Sequence, residues 1–183
     1  MKNFKFSVLF LTLLFTLSTV TAFAGSNSDL YASWWCTESY WTSDSKLDPN
    51  EEIDIHDDVA SVKGSYGDGY STRESNFELH AGDVIEISVC SGAYIGETIS
   101  EYNSADHYVD VYCGDTCIGC LFTPVYSDLE QKRDSKKIVV TEDDISASGN
   151  NNLIIKYQIG NFYSTYTYVS SIYINGQRLY SNV

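Results

Sequence analysis

Apolar and polar side chains alternate with a period of two through much of this chain. The alternation is clearest at 84–89 (VIEISV), 108–112 (YVDVY) and 153–157 (LIIKY). β-Branched and aromatic residues fill these segments, as the half-buried surface of a pleated sheet favours. No segment shows a convincing 3.6-residue period of an amphipathic helix. The pattern therefore predicts an all-β protein.

Clusters of turn-forming residues separate the predicted strands. Further strands are predicted at 52–56, 76–80, 137–141 and 166–174, and turns at 64–69, 114–115, 148–151 and 175–176. Segment 126–136 is charged and poor in strand-forming residues, so we interpret it as a long exposed connection. Many short strands with turns between them are typical of an antiparallel sandwich or barrel.

Four segments resemble the strands and turns of galactose-binding-like jelly rolls. They are 82–87 (GDVIEI), 109–119 (VDVYCGDTCIG), 148–157 (SGNNNLIIKY) and 169–179 (VSSIYINGQRL). This superfamily contains many carbohydrate-binding modules and lectin domains, and the resemblance extends from about Val59 to Leu179. It implies two packed antiparallel sheets with ligands held by loops at one end. Because the superfamily has no fixed binding motif, the resemblance assigns no functional residue. We expect a single antiparallel β-sandwich of the jelly-roll type.

The first 24 residues have the pattern of a secretory signal peptide. Lys2 and Lys5 precede a charge-free apolar run at 6–17, and Ala22-Phe23-Ala24 fits the small-x-small cleavage site. A transmembrane anchor is the alternative, but the strongly apolar part covers only about a dozen residues, too few to span a bilayer. We therefore expect residues 25–183 to form one secreted or extracytoplasmic domain.

Composition and net charge exclude two classes of binding partner. The chain has 183 residues, 43% of them hydrophobic, and a formal net charge of −14. That length suits one domain with its own core. A protein this acidic is repelled by nucleic acid and by anionic membrane surfaces. We therefore expect neither nucleic-acid binding nor membrane insertion.

Five cysteines lie in the exported part and are disulfide candidates: Cys36, Cys90, Cys113, Cys117 and Cys120. The odd number leaves one thiol free or paired between two molecules. If the hairpin loop at 114–116 has three residues, Cys113 and Cys117 face each other. A two-residue loop would place them on opposite faces. The CxxC spacing of Cys117 and Cys120 also raises redox and zinc hypotheses, but zinc requires further soft ligands.

Aromatic residues beside polar ones give the leading functional hypothesis. A glycine-rich turn at 64–70 would expose two tyrosines with an acid between them and an arginine behind, and a tryptophan cluster lies near the start of the exported domain. Sugar rings stack on aromatic side chains, while charged and amide groups hold their hydroxyls. The predicted ligand-binding residues are Tyr66, Asp68, Tyr70, Arg73 and Trp41. The alternative is that these tyrosines belong to the core.

Metal binding is a weaker hypothesis. Asp54, His56 and Asp58 alternate in sequence, so on a strand they would point to one side, and oxygen-rich loops suit calcium. The alternative is an acidic surface exposed to water.

The leading function is thus non-catalytic recognition of a glycan or cell-surface polysaccharide. One alternative is a structural or adhesive subunit that forms homo-oligomers through an open edge strand at 162–171 or through the odd cysteine. Another is a small hydrolase whose carboxylates meet only in the folded protein. No hydrolase motif surrounds any of the three histidines.

Overall fold

In the computed structural model, the residues that the structure describes form twelve strands in two β-sheets. The structure describes residues 29–41, 45–47, 59–62, 67–93, 106–125, 131–145, 149–162 and 165–182. The strands are β1 (Leu30–Ala32), β2 (Trp34–Trp41), β3 (Ser45–Leu47), β4 (Val59–Val62), β5 (Gly67–Glu78), β6 (Val84–Ala93), β7 (Asp106–Cys113), β8 (Thr116–Phe122), β9 (Lys132–Val139), β10 (Asn152–Phe162), β11 (Thr165–Ile174) and β12 (Gln177–Ser181). A single 3-10 turn, Glu142–Asp144, follows β9 among the described residues.

The two sheets differ in their order of strands. One sheet has five antiparallel strands in the order β2-β5-β10-β7-β8. In the seven-stranded sheet, β11 is central, with β6 and then β9 on one side. On its other side, the first half of β11 pairs with β4 and the second half with β12. β3 pairs with the outer edge of β4, and β1 with that of β12. Among the pairings of these twelve described strands, only β1–β12 is parallel. The predicted antiparallel β-sandwich is confirmed.

The core lies between the sheets and changes character along the strands. Alternate side chains of β6, β7 and β10 point inward, and Ile85, Ile87, Val111 and Leu153 are almost completely buried. Polar residues are buried towards the end of β6, just after β8 and at the start of β7 and β11: Ser91, Thr123, His107, Thr165 and Thr167. The Ser91 hydroxyl is hydrogen-bonded to those of Thr123 and Thr167. Hydroxyl and imidazole groups are therefore concentrated at one end of the core, which we call its polar end, although Ile159 is also buried there.

Several predicted elements are confirmed. Strands form at 84–89, 108–112, 153–157 and across 166–174, and turns form at 114–115 and 175–176. The predicted strand at 52–56 lies outside the described residues. Within the part of the chain that the structure describes, no helix has the length and apolarity that crossing a membrane requires.

The predicted turn at 64–70 is wrong from residue 67 onward. Gly67 pairs with Phe162, and Gly69 pairs with Ile159 on one side and Trp41 on the other. Because β10 is eleven residues long, it offers partners that carry β5 back to Gly67. Pairing with neighbouring strands therefore overrides the weak strand propensity of these glycines.

The exposed connection predicted at 126–136 is wrong for its last residues, because β9 begins at Lys132 and pairs along β6. Its charged side chains are mostly exposed, which hides the strand pattern. Two of them cover the free edge of β8. The carboxylate of Asp134 accepts a hydrogen bond from the Phe122 N–H at 3.4 Å, and the Lys136 ammonium donates to the Cys120 carbonyl at 3.3 Å. Such cover blocks further strand pairing.

The open edge predicted at 162–171 is also wrong in the described residues, because β11 lies at the centre of its sheet. Thr165, Thr167 and Val169 point inward and are fully buried, and Tyr166 and Tyr168 point outward. A strand of Thr, Ser and Tyr thus occupies a central position here, and the inward Thr167 hydroxyl is hydrogen-bonded to Ser91 in the polar end of the core.

The hairpin between β7 and β8 has a two-residue turn, Gly114 and Asp115, with Cys113 paired to Thr116. Cys113 therefore points into the core and Cys117 outward, so of the two alternatives the two-residue loop, with the cysteines on opposite faces, is confirmed. All five cysteines are free thiols in this structure.

Candidate functional site

The outer side of the five-stranded sheet carries an ordered set of large and polar side chains. Cross-strand partners point to the same side of a sheet, so each outward residue lies beside its partner on the next strand. The pairing produces three rows that each cross β2, β5, β10, β7 and β8. The rows are Tyr40-Tyr70-Gln158-Tyr108-Phe122, Glu38-Thr72-Lys156-Asp110-Cys120 and Trp35-Glu74-Ile154-Tyr112-Cys117. We call this surface the aromatic face.

Aromatic rings dominate the first row. Tyr40 is 57% exposed, Phe122 42% and Tyr108 38%. The Tyr108 and Phe122 rings are stacked with centroids 4.8 Å apart, and those of Tyr40 and Tyr70 are tilted at 6.2 Å. Two aromatic pairs thus lie on either side of Gln158. Since neighbouring strands are about 4.8 Å apart, the row is about 19 Å long.

Polar groups between the rings are held by hydrogen bonds. The Tyr70 hydroxyl donates to the Glu38 carboxylate at 2.9 Å, and the Gln158 amide donates to Asp110. The Lys156 ammonium lies 4.3 Å from the centroid of the Tyr70 ring. The hydrogen bond to Glu38, together with lesser desolvation, raises the pKa of Tyr70. Tyr70 therefore stays a neutral phenol, and the carboxylates and the ammonium present fixed acceptors and donors beside the rings.

A shallow pocket of about 340 Å³ opens at the third row of the face. Glu74, Ile154 and Tyr112 line it, and Asp115 and Asn150 border it from two turns. The face therefore joins a flat aromatic strip to a polar depression, a combination that suits a ligand with both C–H surfaces and hydroxyls.

Tyr70 is the one predicted site residue whose side chain the structure places on this face. Arg73 is a correction, because it points to the opposite side of β5, between Cys36 and Ile155, and is 5% exposed. A strand alternates its side chains, so Tyr70 and Arg73, three residues apart, face opposite ways. The backbones of Asp68 and Trp41 belong to β5 and β2, but their side chains, and all of Tyr66, lie outside the described residues.

Sequence reasoning missed Tyr40, Tyr108, Phe122, Asp110 and Lys156. A signal was present at 108–112, where the valines occupy one side of the strand and Tyr108, Asp110 and Tyr112 the other. Because the valines must face the core, aromatic residues alternating with an acid must face outward.

The metal candidates Asp54, His56 and Asp58 lie outside the described residues, and so does any calcium site they would form. In the described ranges, no group of three or more His, Cys, Asp or Glu side chains is arranged to hold a metal ion.

His107 is buried beneath the aromatic face at the polar end of the core. It is fully inaccessible to solvent, and neither ring nitrogen has a hydrogen-bond partner among the described residues. Burial lowers the pKa of His107 to about 3. The imidazole is therefore neutral at physiological pH and takes no part in the outer surface.

No protein-family model matches the sequence, and no curated protein matches it at a significant level. Several solved structures are similar to this chain. TmCBM61, solved in complex with β-1,4-galactotriose, is 11% identical, with 77% of this chain and 86% of that chain covered and a TM-score of 0.45. TmCBM27, a carbohydrate-binding module that recognises mannan, is 15% identical, with coverages of 82% and 90% and a TM-score of 0.43.

A third similar structure is not a carbohydrate-binding module. A cyclase from Fischerella sp. TAU, in complex with 4-(1H-indol-3-yl)butan-2-one, is 11% identical, with coverages of 79% and 90% and a TM-score of 0.42. Because these identities are low and the TM-scores lie below 0.5, the ligands of the three proteins are not transferred to this chain.

Proposed function

We propose that the protein binds a glycan through the aromatic face, without transforming it, and that it does so outside the cytoplasm after export. One observation carries the proposal. Among the described residues, four of the six exposed large hydrophobic side chains lie on this face: Trp35, Tyr40, Tyr108 and Phe122. Tyr31 and Val139 are the other two. An exposed cluster of aromatic residues marks an interaction surface.

The chemistry of the face suits sugar rings. The C–H side of a pyranose stacks on an aromatic ring, and Tyr40, Tyr108 and Phe122 present such rings along one row. Lys156, Asp110 and Glu38 lie one row away, within reach of the hydroxyls of a stacked sugar. Because strand pairing holds the rings in place, little side-chain entropy is lost when a ligand binds.

The size and charge of the face favour a neutral chain of several sugars. An aromatic strip of about 19 Å is too long for one monosaccharide. Three carboxylates, Glu38, Glu74 and Asp110, surround one ammonium, Lys156, and the whole chain has a net charge of −14. A polyanionic glycan would be repelled. The proposed partner is therefore a neutral polysaccharide, including one on a cell surface.

Tyr70 belongs to this proposed site. The side chains of Tyr66, Asp68 and Trp41 remain predictions, because they lie outside the described residues.

Tyr108→Ala should weaken glycan binding about two- to tenfold, because a stacked aromatic contributes about 0.5–1.5 kcal/mol. Affinity electrophoresis of the full chain through gels containing β-1,4-galactan, β-1,4-mannan, a mixed-linkage β-glucan or polygalacturonate measures this directly. We expect retardation by at least one neutral polymer and none by polygalacturonate.

Tyr31→Ala is the matched control, because Tyr31 is also exposed but belongs to the seven-stranded sheet, beside Tyr180. It should bind as the wild type does. Equal loss in both variants would contradict a site on the aromatic face, and no retardation by any polymer would contradict glycan binding.

A further inference from the structure

Cys117 and Cys120 end two rows of the aromatic face and lie on the same side of β8. Val111 pairs with Gly119 and Tyr112 with Cys117, so Ile118 is an additional residue that forms a β-bulge. In a regular strand, residues three apart point to opposite sides. The additional residue places both thiols outward, opposite Tyr112 and Asp110. The bulge thus converts a CxxC sequence in a strand into a pair of exposed neighbouring thiols.

Each thiol donates to a backbone carbonyl of its own strand. The Cys117 thiol donates to the Gly119 carbonyl at 3.6 Å, and the Cys120 thiol to the Leu121 carbonyl at 3.7 Å. Although the Cys120 side chain is exposed, partial desolvation of its sulfur and, to a lesser extent, Asp110 and Cys117 raise its pKa to about 12. The ammonium of Lys136, which is 3.3 Å from the Cys120 carbonyl, partly offsets this effect by lowering the pKa of the thiol. Cys120 is therefore a neutral thiol at rest, with a cation nearby.

Distances decide between a disulfide and a bridging ion. Because of the bulge, Cys117 and Cys120 lie opposite Tyr112 and Asp110, which are two residues apart on β7. Two residues of a strand span about 6.8 Å, so the two cysteines are separated by about that distance. Parallel side chains that far apart do not meet the Cβ–Cβ separation of about 3.8 Å that a disulfide needs. A linear thiolate–metal–thiolate unit, with metal–sulfur bonds of about 2.3 Å, separates the sulfurs by about 4.6 Å. Rotation of the two side chains toward each other reaches that separation.

We propose that Cys117 and Cys120 bind one soft monovalent cation, Cu(I) or Ag(I), in two-coordinate geometry. Binding forms two metal–sulfur bonds and releases both thiol protons to the solvent, so one cation and two thiols become a bis-thiolate complex with one negative charge. Lys136 offsets that charge. Thiolates are the ligands that Cu(I) prefers, and two-coordinate binding requires no third ligand.

Silver titration of the reduced full chain tests the proposal. Ag(I) is the probe because it does not change oxidation state in water, and native mass spectrometry in thiol-free buffer counts the bound ions. We expect one tightly bound Ag(I) per chain. Removing a residue that only hydrogen-bonds to a metal ligand weakens metal binding about 10- to 100-fold. Removing a direct ligand should have a larger effect, so we expect Cys117→Ser and Cys120→Ser each to lower the Ag(I) affinity more than about a hundredfold.

Cys36→Ser is the control, because Cys36 is also an exposed thiol but lies on β2 beside Ser71. It should retain the tight site. Wild-type affinity in either Cys117→Ser or Cys120→Ser would overturn the proposal. So would a Cys117–Cys120 disulfide in the purified protein, detected as a mass lower by two protons and as the loss of two alkylatable thiols.

Discussion

Acidification from pH 6.5 towards pH 3 should destabilise the protein by several kcal/mol through His107 alone. The pKa of a free histidine is 6.5, and burial lowers that of His107 to about 3. Above pH 6.5 the imidazole is neutral in both states and contributes no pH dependence. Between the two values the unfolded chain binds a proton that the folded chain does not, so stability falls as the pH falls, by up to about 1.4 kcal/mol per pH unit.

Urea unfolding of wild type and His107→Leu at several pH values measures this contribution. Carboxylates also titrate in this range, but their effect is common to both proteins and cancels in the difference. We expect the stability of the variant relative to wild type to rise by about 3 kcal/mol between pH 7 and pH 4.

Two controls accompany the titration. His107→Asn serves if the leucine variant does not fold. His80→Gln is the control for replacing a histidine outside the core, because the His80 side chain is 72% exposed. Parallel curves for wild type and both His107 variants would show that the imidazole has no depressed pKa.

Gly114→Ala should destabilise the protein by about 3 kcal/mol or more. Gly114 has φ of +54°, which an alanine adopts only with strain, and a Cβ at this position would collide with the backbone carbonyl of Asn150. Its N–H donates to the Asn152 carbonyl at 2.9 Å, so the turn is attached to the start of β10. Neither backbone segment can yield without breaking this contact.

Gly149→Ala is the matched comparison for Gly114→Ala. Gly149 also has a positive φ, +81°, but among the described residues other than its chain neighbours no atom lies within 4 Å of the position of its added Cβ. Gly149→Ala should lower the free energy of unfolding only by the conformational strain of an alanine at positive φ, about 1–2 kcal/mol. Chemical denaturation of both variants separates strain from collision. Equal losses would mean that the Gly114 turn adjusts to the added methyl group.

Local alternation was sufficient to predict several strands and to show which side of each faces the core. At 108–112, two buried valines alternate with Tyr108, Asp110 and Tyr112, and the strand forms as predicted. The pattern failed where a partner strand decided the outcome. Gly67 and Gly69 were interpreted as a turn because nothing local reveals that β10 is long enough to pair with them. The charged β9 was missed for the same reason, since its pairing with β6 overrides weak propensity.

The candidate site was harder to predict, because it depends on the order of strands. Tyr40 and Tyr70 meet across β2 and β5, and Tyr108 and Phe122 meet across β7 and β8. The two pairs lie on one surface only because β10 is inserted between β5 and β7. No periodicity within a segment contains that information. Arg73 was misplaced because its neighbourhood was interpreted as a loop, where alternation does not apply.

The most direct test of the central claim is to map which backbone amides respond when a glycan binds. Nuclear magnetic resonance spectra of the isotopically labelled protein would be recorded with increasing amounts of a hexasaccharide of the neutral polysaccharide that retards it. We predict the largest amide shifts in β2, β5, β10, β7 and β8, centred on Tyr40, Tyr70 and Tyr108, with little change at Tyr31 and Tyr180. Shifts concentrated on the seven-stranded sheet would contradict recognition through the aromatic face.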